Sequence, residues 1–369
     1  MSAFCLCMFT ACDSDDNNLL CYGTHTDIEG DVTAFGAVGD GKTDCSKAIN
    51  SAIASLPAEG GVLVIPEGDF VLDAPIVINK HNVTIEGLNP GMRSNIDVNG
   101  INDLLGPGGG SKLVARNAEA AIKVETGMKG VKIMNLMVSG GTEAKNIGIH
   151  FVGATDNGML SNIIGINLHT GVKIEQAKNM QIVNCWVCEL PNSIELIGGE
   201  NIVVKNCQLG AQPTGITCKV QEVNKLSFIN NQVYPDGREN LVLDACDNCV
   251  IEGNNFKSYY NGILVLNGND NTVNKNIFWL TGAVQNQLLD HGDDFGIINV
   301  KGNNNMVASN SLSCEWAYAG AVTVNAVQGT GNVFKNCFVD NLESYRVFLV
   351  NAQTEVSNCV SSDKVSIVE

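Results

Sequence analysis

Four side chains define the first chemical possibility. Glu195 sits in Ser193-Ile194-Glu195-Leu196, an alternation that turns the apolar residues one way and the glutamate the other. His150 between Ile149 and Phe151, Lys173 between Val172 and Ile174, and Thr217 between Ile216 and Cys218 share that phase. A carboxylate near an imidazole, an ammonium and a hydroxyl suits acid–base work at oxygen, where one proton is delivered and another removed. The same residues would equally suit an ordinary solvated sheet face. A second cluster, Asp290-His291-Gly292-Asp293-Asp294, gathers carboxylates and an imidazole in one short run. It suits cation binding or proton transfer, or a solvated acidic turn.

Positioning these residues requires a repeat, and the sequence contains one. Between about residues 148 and 360, Asn or Cys followed two positions later by an apolar residue recurs at Asn162, Cys185, Cys207, Asn231, Asn254, Asn276, Asn310, Asn336 and Asn358. A second pattern, a small or polar residue opening an apolar alternation, recurs at Gly148, Gly171, Ser193, Gly215, Asn240, Gly262, Gly296 and Ala321. Most steps are 22 to 26 residues, and both series jump by 34 between the same two members. Two patterns that slip together belong to one stacked unit, so the chain is a solenoid. Each unit holds short Val/Ile/Leu/Phe alternations separated by Gly, Asn and Asp turns, with no room for a ten-residue amphipathic helix. The reading is an all-β, single-stranded parallel β-helix with an Asn ladder in one turn, Cys replacing Asn at two rungs. Its interior is filled, so a site must lie outside. The outward row would stack His150, Lys173, Glu195 and Thr217 at ~4.8 Å per coil, then turn apolar at Val242, Leu264 and Ile298.

The ends and the composition narrow the class. Residues 1–12 read as a lipoprotein signal remnant, with Phe9-Thr10-Ala11-Cys12 resembling a lipobox that would leave Cys12 lipidated. Residues 13–30 read as a polar linker and 31–369 as the β-helix domain. The acidic run from Asp13 to Asp16 resembles a surface-export signal, which points to a secreted, outer-membrane or cell-surface lipoprotein. A net charge of −17 argues against nucleic acid as a partner and against a polyanionic substrate. Aromatic residues at 6% leave no long stacking platform. Cys185-x-x-Cys188 and Cys246-x-x-Cys249 have zinc-ribbon spacing, but cysteines alternating in successive coils read better as core thiols, and no metal is assigned. The run from Val32 to Asp44, a helix over Ala48, Ile49, Ala52 and Ile53 with Asp44 as N-cap, and the strand Val62–Ile65 resemble the opening segment of the pectate-lyase-like right-handed β-helix superfamily. There the helix caps the open end of the coil, shielding core and strand edge. Residues 87 to 111 read as an irregular Gly-rich excursion, and Thr281 to Phe295 as an insertion on one coil.

From about 146 to 316 the chain also resembles the inulin fructotransferase and difructose-anhydride family of trimeric β-helices. The matching stretches are Val183 to Gly198, Leu209-Gly210-Ala211 with Pro213, Tyr234-Pro235 with Gly237-Arg238, and Cys246-x-x-Cys249. Tyr259-Tyr260 with Gly262, Leu266-Asn267-Gly268 and Asp293-Asp294 continue the series. The resemblance implies cleavage of a fructosyl linkage by an Asp and a Glu eleven residues later, intramolecular attack by a sugar hydroxyl, and no cofactor. Glu195 matches the Glu, while Asn184 stands where the Asp would be. An amide cannot take or hold the proton, and losing such a partner costs ~10²–10⁴ in rate. Glu189, Glu175 or the Asp290–Asp294 cluster would have to substitute. The expected site is therefore Glu195 with Asn184, lined by His150, Lys173, Thr217, Arg238, Tyr260, Asp290, Asp293 and Asp294. The expected function is a fructan-cleaving or difructose-anhydride-hydrolysing surface enzyme, a homotrimer by resemblance. The alternatives are a polysaccharide lyase or galacturonase-like hydrolase, and a non-catalytic glycan-binding β-helix.

Overall fold

The computed structural model describes residues 30–91, 110–141, 145–281, 294–314, 322–340, 346–360 and 365–368. The signal remnant with Cys12, most of the linker, the heart of the Gly-rich excursion, and Asp290 and Asp293 lie outside these residues. Every strand pairing is parallel and joins one coil to the next, giving three faces. Face A runs from Ile76–Ile78 through Ala120–Val124 and Ile147–Phe151 to Arg346–Asn351 and Val365–Val368. Face B is a separate 12-stranded sheet from Asp40–Asp44 to Phe338–Asp340. Face C begins at Gly61–Ile65 and ends at Glu355–Ser357. In three consecutive coils a single 14-residue strand passes from face A to face C without a break: Thr170–Val183, Asn192–Lys205 and Ile216–Ile229.

Side chains alternate along each strand, so half of every strand fills one continuous core. Phe256 stacks on Phe278 with centroids 5.0 Å apart and on Phe228 at 6.0 Å. The helix Ser46–Ser55 buries Ile49, Ala52 and Ile53 over the open end of this core. Its N-cap position is Cys45, but Asp44 one residue earlier does the capping, accepting from the Ser46 N–H at 3.0 Å and from the Ser46 hydroxyl.

The turn from face C to face B holds two adjacent columns. The inward column runs Cys185, Cys207, Asn231, Asn254, Asn276, Asn310, Cys337 and Cys359, all buried. Asn231 donates to Asn254 at 3.0 Å, Asn254 to Asn276 at 2.9 Å, and Asn276 to Asn310 at 3.0 Å. Each of these amides also donates to a backbone carbonyl of the preceding coil, as Asn254 does to Phe228. A second ladder, Asn271, Asn305 and Asn332, does the same at another turn. Asn162, Asn336 and Asn358 belong instead to the neighbouring outer column, one residue earlier, where φ lies near +54°. There Asn is favoured because it tolerates the left-handed region, so Ile163, Cys337 and Cys359 take the inward places. The cysteines of both ladders donate to nearby carbonyls, Cys207 to Lys205 at 3.3 Å in the first and Cys249, next to Asn271 in the second, to Asp247 at 3.4 Å.

Candidate active site

The outward row of face A is a single file of side chains, one per coil: Lys123, His150, Lys173, Glu195 and Lys219. Three of the four residues expected in this row are there. Thr217 is not. The coil-to-coil step at Glu195 is 24 residues, because the turn Gln212–Gly215 is longer than its predecessor at Pro191, so Glu195 pairs with Lys219. Thr217 is completely buried, and its hydroxyl has no hydrogen-bond partner. The apolar continuation of the row is likewise Val242 and Val265, with Leu264 and Ile298 turned into the core.

Glu195 is half-buried and accepts from the Thr170 hydroxyl at 3.5 Å, which in turn lies 3.1 Å from His169 Nδ1. Beside it, Lys173 Nζ meets Glu175 at 2.9 Å, and His150 Nε2 lies 3.6 Å from the other Glu175 oxygen, too long for a hydrogen bond. Burial pushes His150 below the usual imidazole range, and the facing Glu175 carboxylate only partly offsets this. Glu175 itself is held low, chiefly by its bond from Lys173.

On the other side of the turn at Pro191 the strand Trp186–Leu190 carries a bulge: Val187 pairs with Leu209, but Leu190 pairs with Ala211. Glu189 is the extra residue, at φ 65°. Such a conformation costs a non-glycine residue about 1–3 kcal/mol. The next coils bring Gln212, Asp236 and Tyr259 to the same edge. Gln212 Nε2 donates to the Glu189 carbonyl at 3.1 Å, and the Tyr259 N–H to the Pro235 carbonyl at 3.2 Å. Glu189 and Asp236 are open to solvent at their tips, yet both are raised. Desolvation acts first on each, and the Asp236 charge adds to it at Glu189. A carboxyl whose ionisation is made harder is better suited to holding a proton that it can deliver. Tyr234 closes the edge, its hydroxyl donating to Gln208 at 2.9 Å while its ring packs on an apolar cluster outside face B that contains Trp186 and Cys188.

Some of the fragments that carry the resemblance fall together here, while Cys246 to Cys249 and Leu266 to Gly268 lie at the turn from face A to face C. Ser193 to Leu196, Leu209 to Pro213, Tyr234 to Arg238, and Tyr259 to Gly262 occupy the passage from face B to face A on four successive coils. Arg238 is half-exposed, 3.8 Å from Glu239, and Tyr260 is buried. Asn184 is elsewhere. It is exposed in the left-handed column between faces C and B, and the strand Trp186–Leu190 separates it from the Pro191 turn. Asp294 is also apart, bound to Arg346 at 2.6 Å several coils further on. Asp236 is absent from the sequence-based set because Pro235-Asp236-Gly237 reads as an ordinary turn, and Lys219 because the longer step hides its phase. Among the described residues no group of three His, Cys, Asp or Glu side chains is placed to hold a metal ion.

A parallel solenoid capped by a helix agrees with family comparison. The profile of the rhamnogalacturonase A/epimerase, pectate lyase-like family matches residues 31–235, more than half of the chain. The chain belongs to that family. A right-handed β-helix profile continues over residues 214–367 of this pectate-lyase-like protein. It is 23% identical over 321 residues to the DFA-I-forming inulin fructotransferase of Arthrobacter globiformis, covering 77% of this chain and 80% of that one. Among solved structures it superposes on the DFA-IIIase of Arthrobacter chlorophenolicus A6 without its lid at a TM-score of 0.76, with 22% identity, covering 92% of this chain and 96% of that one. The same enzyme in complex with GF2 gives 0.74 at 22% identity, covering 92% and 95%.

Proposed function

We propose that this pectate-lyase-like protein is a fructan-transforming enzyme that cleaves inulin-type linkages, or opens difructose anhydride, at the edge between faces B and A. One observation carries the reading. Four of the fragments that resemble the fructotransferases meet at that edge, where Glu189, Asp236 and Glu195 supply carboxyl groups. The similarity to the Arthrobacter fructotransferase and the superposition on the DFA-IIIase support it. Glu189, whose pKa desolvation and the Asp236 charge raise, gives its proton to the leaving oxygen as the fructosyl C–O bond breaks. Glu195, flanked by Lys173 and Lys219, is the acid–base partner that takes the proton from the attacking hydroxyl. His150 and Arg238 line the approach, and Glu189 fills the role that Asn184 cannot.

Attachment through Cys12 at the cell surface, and a homotrimer, belong to the same proposal. The trimer comes from the resemblance, and Ile277 and Phe338, exposed 49% and 51% on either side of Ser311 in one outer column of face B, are its candidate contacts. The test is incubation with inulin and with difructose anhydride, followed by chromatography. A cyclic disaccharide from inulin, or fructose disaccharides from the anhydride, is expected. Unsaturated sugars released from pectate, with fructans untouched, would overturn the reading in favour of a lyase.

A further inference from the structure

A buried hydroxyl joins Glu195 to an imidazole at the surface. Thr170 is 2% exposed, and its hydroxyl donates to Glu195 Oε1 at 3.5 Å while lying 3.1 Å from His169 Nδ1. The His169 side chain is exposed, but its backbone is fixed between coils. Its N–H donates to the Asn146 carbonyl at 2.9 Å, and its carbonyl accepts from the Asn192 N–H at 3.0 Å. Thr170 is no rung of a repeating ladder, since Ile147 and Asn192 occupy its place on the coils either side. Lys173, the row's nearest cation, is engaged by Glu175 at 2.9 Å. Among the described residues the Thr170 hydroxyl is thus the side chain that donates to Glu195. A hydroxyl carries one proton. With that proton on Glu195, the His169 contact is a hydrogen bond only when Nδ1 carries hydrogen and donates to the Thr170 oxygen. The chain then runs one way, from imidazole to hydroxyl to carboxylate.

We infer that Thr170 and His169 are positioning residues that aim Glu195 as the base of the proposed reaction. This role rests on the proposed fructan reading and adds to it the two side chains that orient its base. Thr170 ties down one carboxylate oxygen and leaves the other for the attacking hydroxyl. His169 fixes the direction of the Thr170 proton, as the third member of a catalytic triad orients the second. In the step itself the attacking oxygen bonds the fructosyl carbon and gives its proton to Glu195. The leaving oxygen takes the Glu189 proton as its own bond to that carbon breaks. Glu189 ends ionised and Glu195 protonated, so protons and charge balance without a co-reactant. A carboxylate free to swing would lose much of this advantage, because misplacing a reacting group by about 1 Å costs up to ~10² in rate.

The experiment measures kcat and KM on inulin for the wild type, Thr170→Val, Thr170→Ser, His169→Ala and His169→Asn, with thermal melts as a check on folding. Thr170→Val, which keeps the shape and removes the hydroxyl, should lower kcat by up to ~10² and leave KM nearly unchanged. Thr170→Ser should restore most of the rate. His169→Asn, whose amide can donate from a similar place, should retain more activity than His169→Ala. In a Glu195→Gln background Thr170→Val should cost little more, because it acts through the carboxylate that is gone. Wild-type kcat in folded Thr170→Val, an equal loss in Thr170→Ser, or a loss confined to KM overturns the positioning role and leaves the fructan reading standing. Should Thr170→Val fail to fold, the two variants of the exposed His169 decide, and equal rates in both overturn the role. No turnover of inulin or difructose anhydride by the wild type overturns the fructan reading and this role with it.

Discussion

Glu195 and Asn184 lie on different edges of the same solenoid, with the strand Trp186–Leu190 and the turn at Pro191 between them. The amide at position 184 suits the backbone, which sits there at φ 57°, and on the proposed reading it is not half of the catalytic pair. Asn184→Asp should leave both activity and stability nearly unchanged, because Asp also tolerates the left-handed region. Asn184→Val should cost about 1–3 kcal/mol in urea unfolding while leaving the activity of the folded fraction intact. A large gain in rate from Asn184→Asp would place the chemistry at the wrong edge.

The Glu189–Asp236 pair predicts a pH signature in stability. Both carboxyls have folded-state pKa values raised by desolvation, and the Asp236 charge raises Glu189 further. Folding therefore favours their protonated forms. That contribution is complete below the unfolded-state values, about 4, and is lost as pH rises through the folded-state values. Glu189→Gln, neutral at every pH, should melt at the same temperature as wild type in acid and above it at neutral pH. A melting difference that is constant with pH would show that Glu189 is not crowded.

The inward Asn ladder predicts unequal costs for one residue type. Asn254 bonds Asn276, the Phe228 carbonyl and the Asn231 backbone, all in the core. Asn254→Ala should lower unfolding free energy by about 1–3 kcal/mol for each buried group left unpaired. Asn303→Ala, exposed at a turn and outside the left-handed region, should cost much less. Equal effects in urea denaturation would mean that the ladder contributes nothing beyond turn propensity.

Thiol chemistry should follow burial. Desolvation raises Cys188, Cys218, Cys246 and Cys249, and Cys314 is pushed up to about 12. Cys359 is the exception, held low by the Cys337 thiol that donates to it. In the native protein at pH 8, iodoacetamide followed by mass spectrometry should label Cys359 first among these, with the others protected until denaturant is added. Early labelling of Cys218 would contradict the packed core.

The fold was readable because a solenoid repeats its own evidence. Nine rungs of Asn or Cys at a near-constant step leave few other solutions, and the inward alternation around Ile149, Val172 and Ile194 is the same on every coil. Phase was harder. One turn two residues longer, Gln212–Gly215, moved Lys219 into the row and Thr217 into the core, since register in a sheet depends on turn length as well as on pattern. A single-residue offset at the turn from face C to face B hid which of two adjacent columns holds Asn336 and Asn358. The site was readable only in part for a similar reason. Glu195, Lys173 and His150 lie on regular strand, where periodicity points them outward. Glu189 depends on a bulge and Asp236 on a turn, and neither irregularity has a periodic signature.

The account's central claim is that Glu189 and Glu195 act as one catalytic unit on a fructosyl linkage. Its most direct test is the initial rate on inulin of Glu189→Gln, Glu195→Gln and the double variant at a common pH, each confirmed folded. The account predicts a loss of ~10²–10⁴ in kcat for each single variant, and little further loss in the double, because groups that act in one proton relay are not additive. Wild-type rates in either single variant, or losses that multiply in the double, would contradict it.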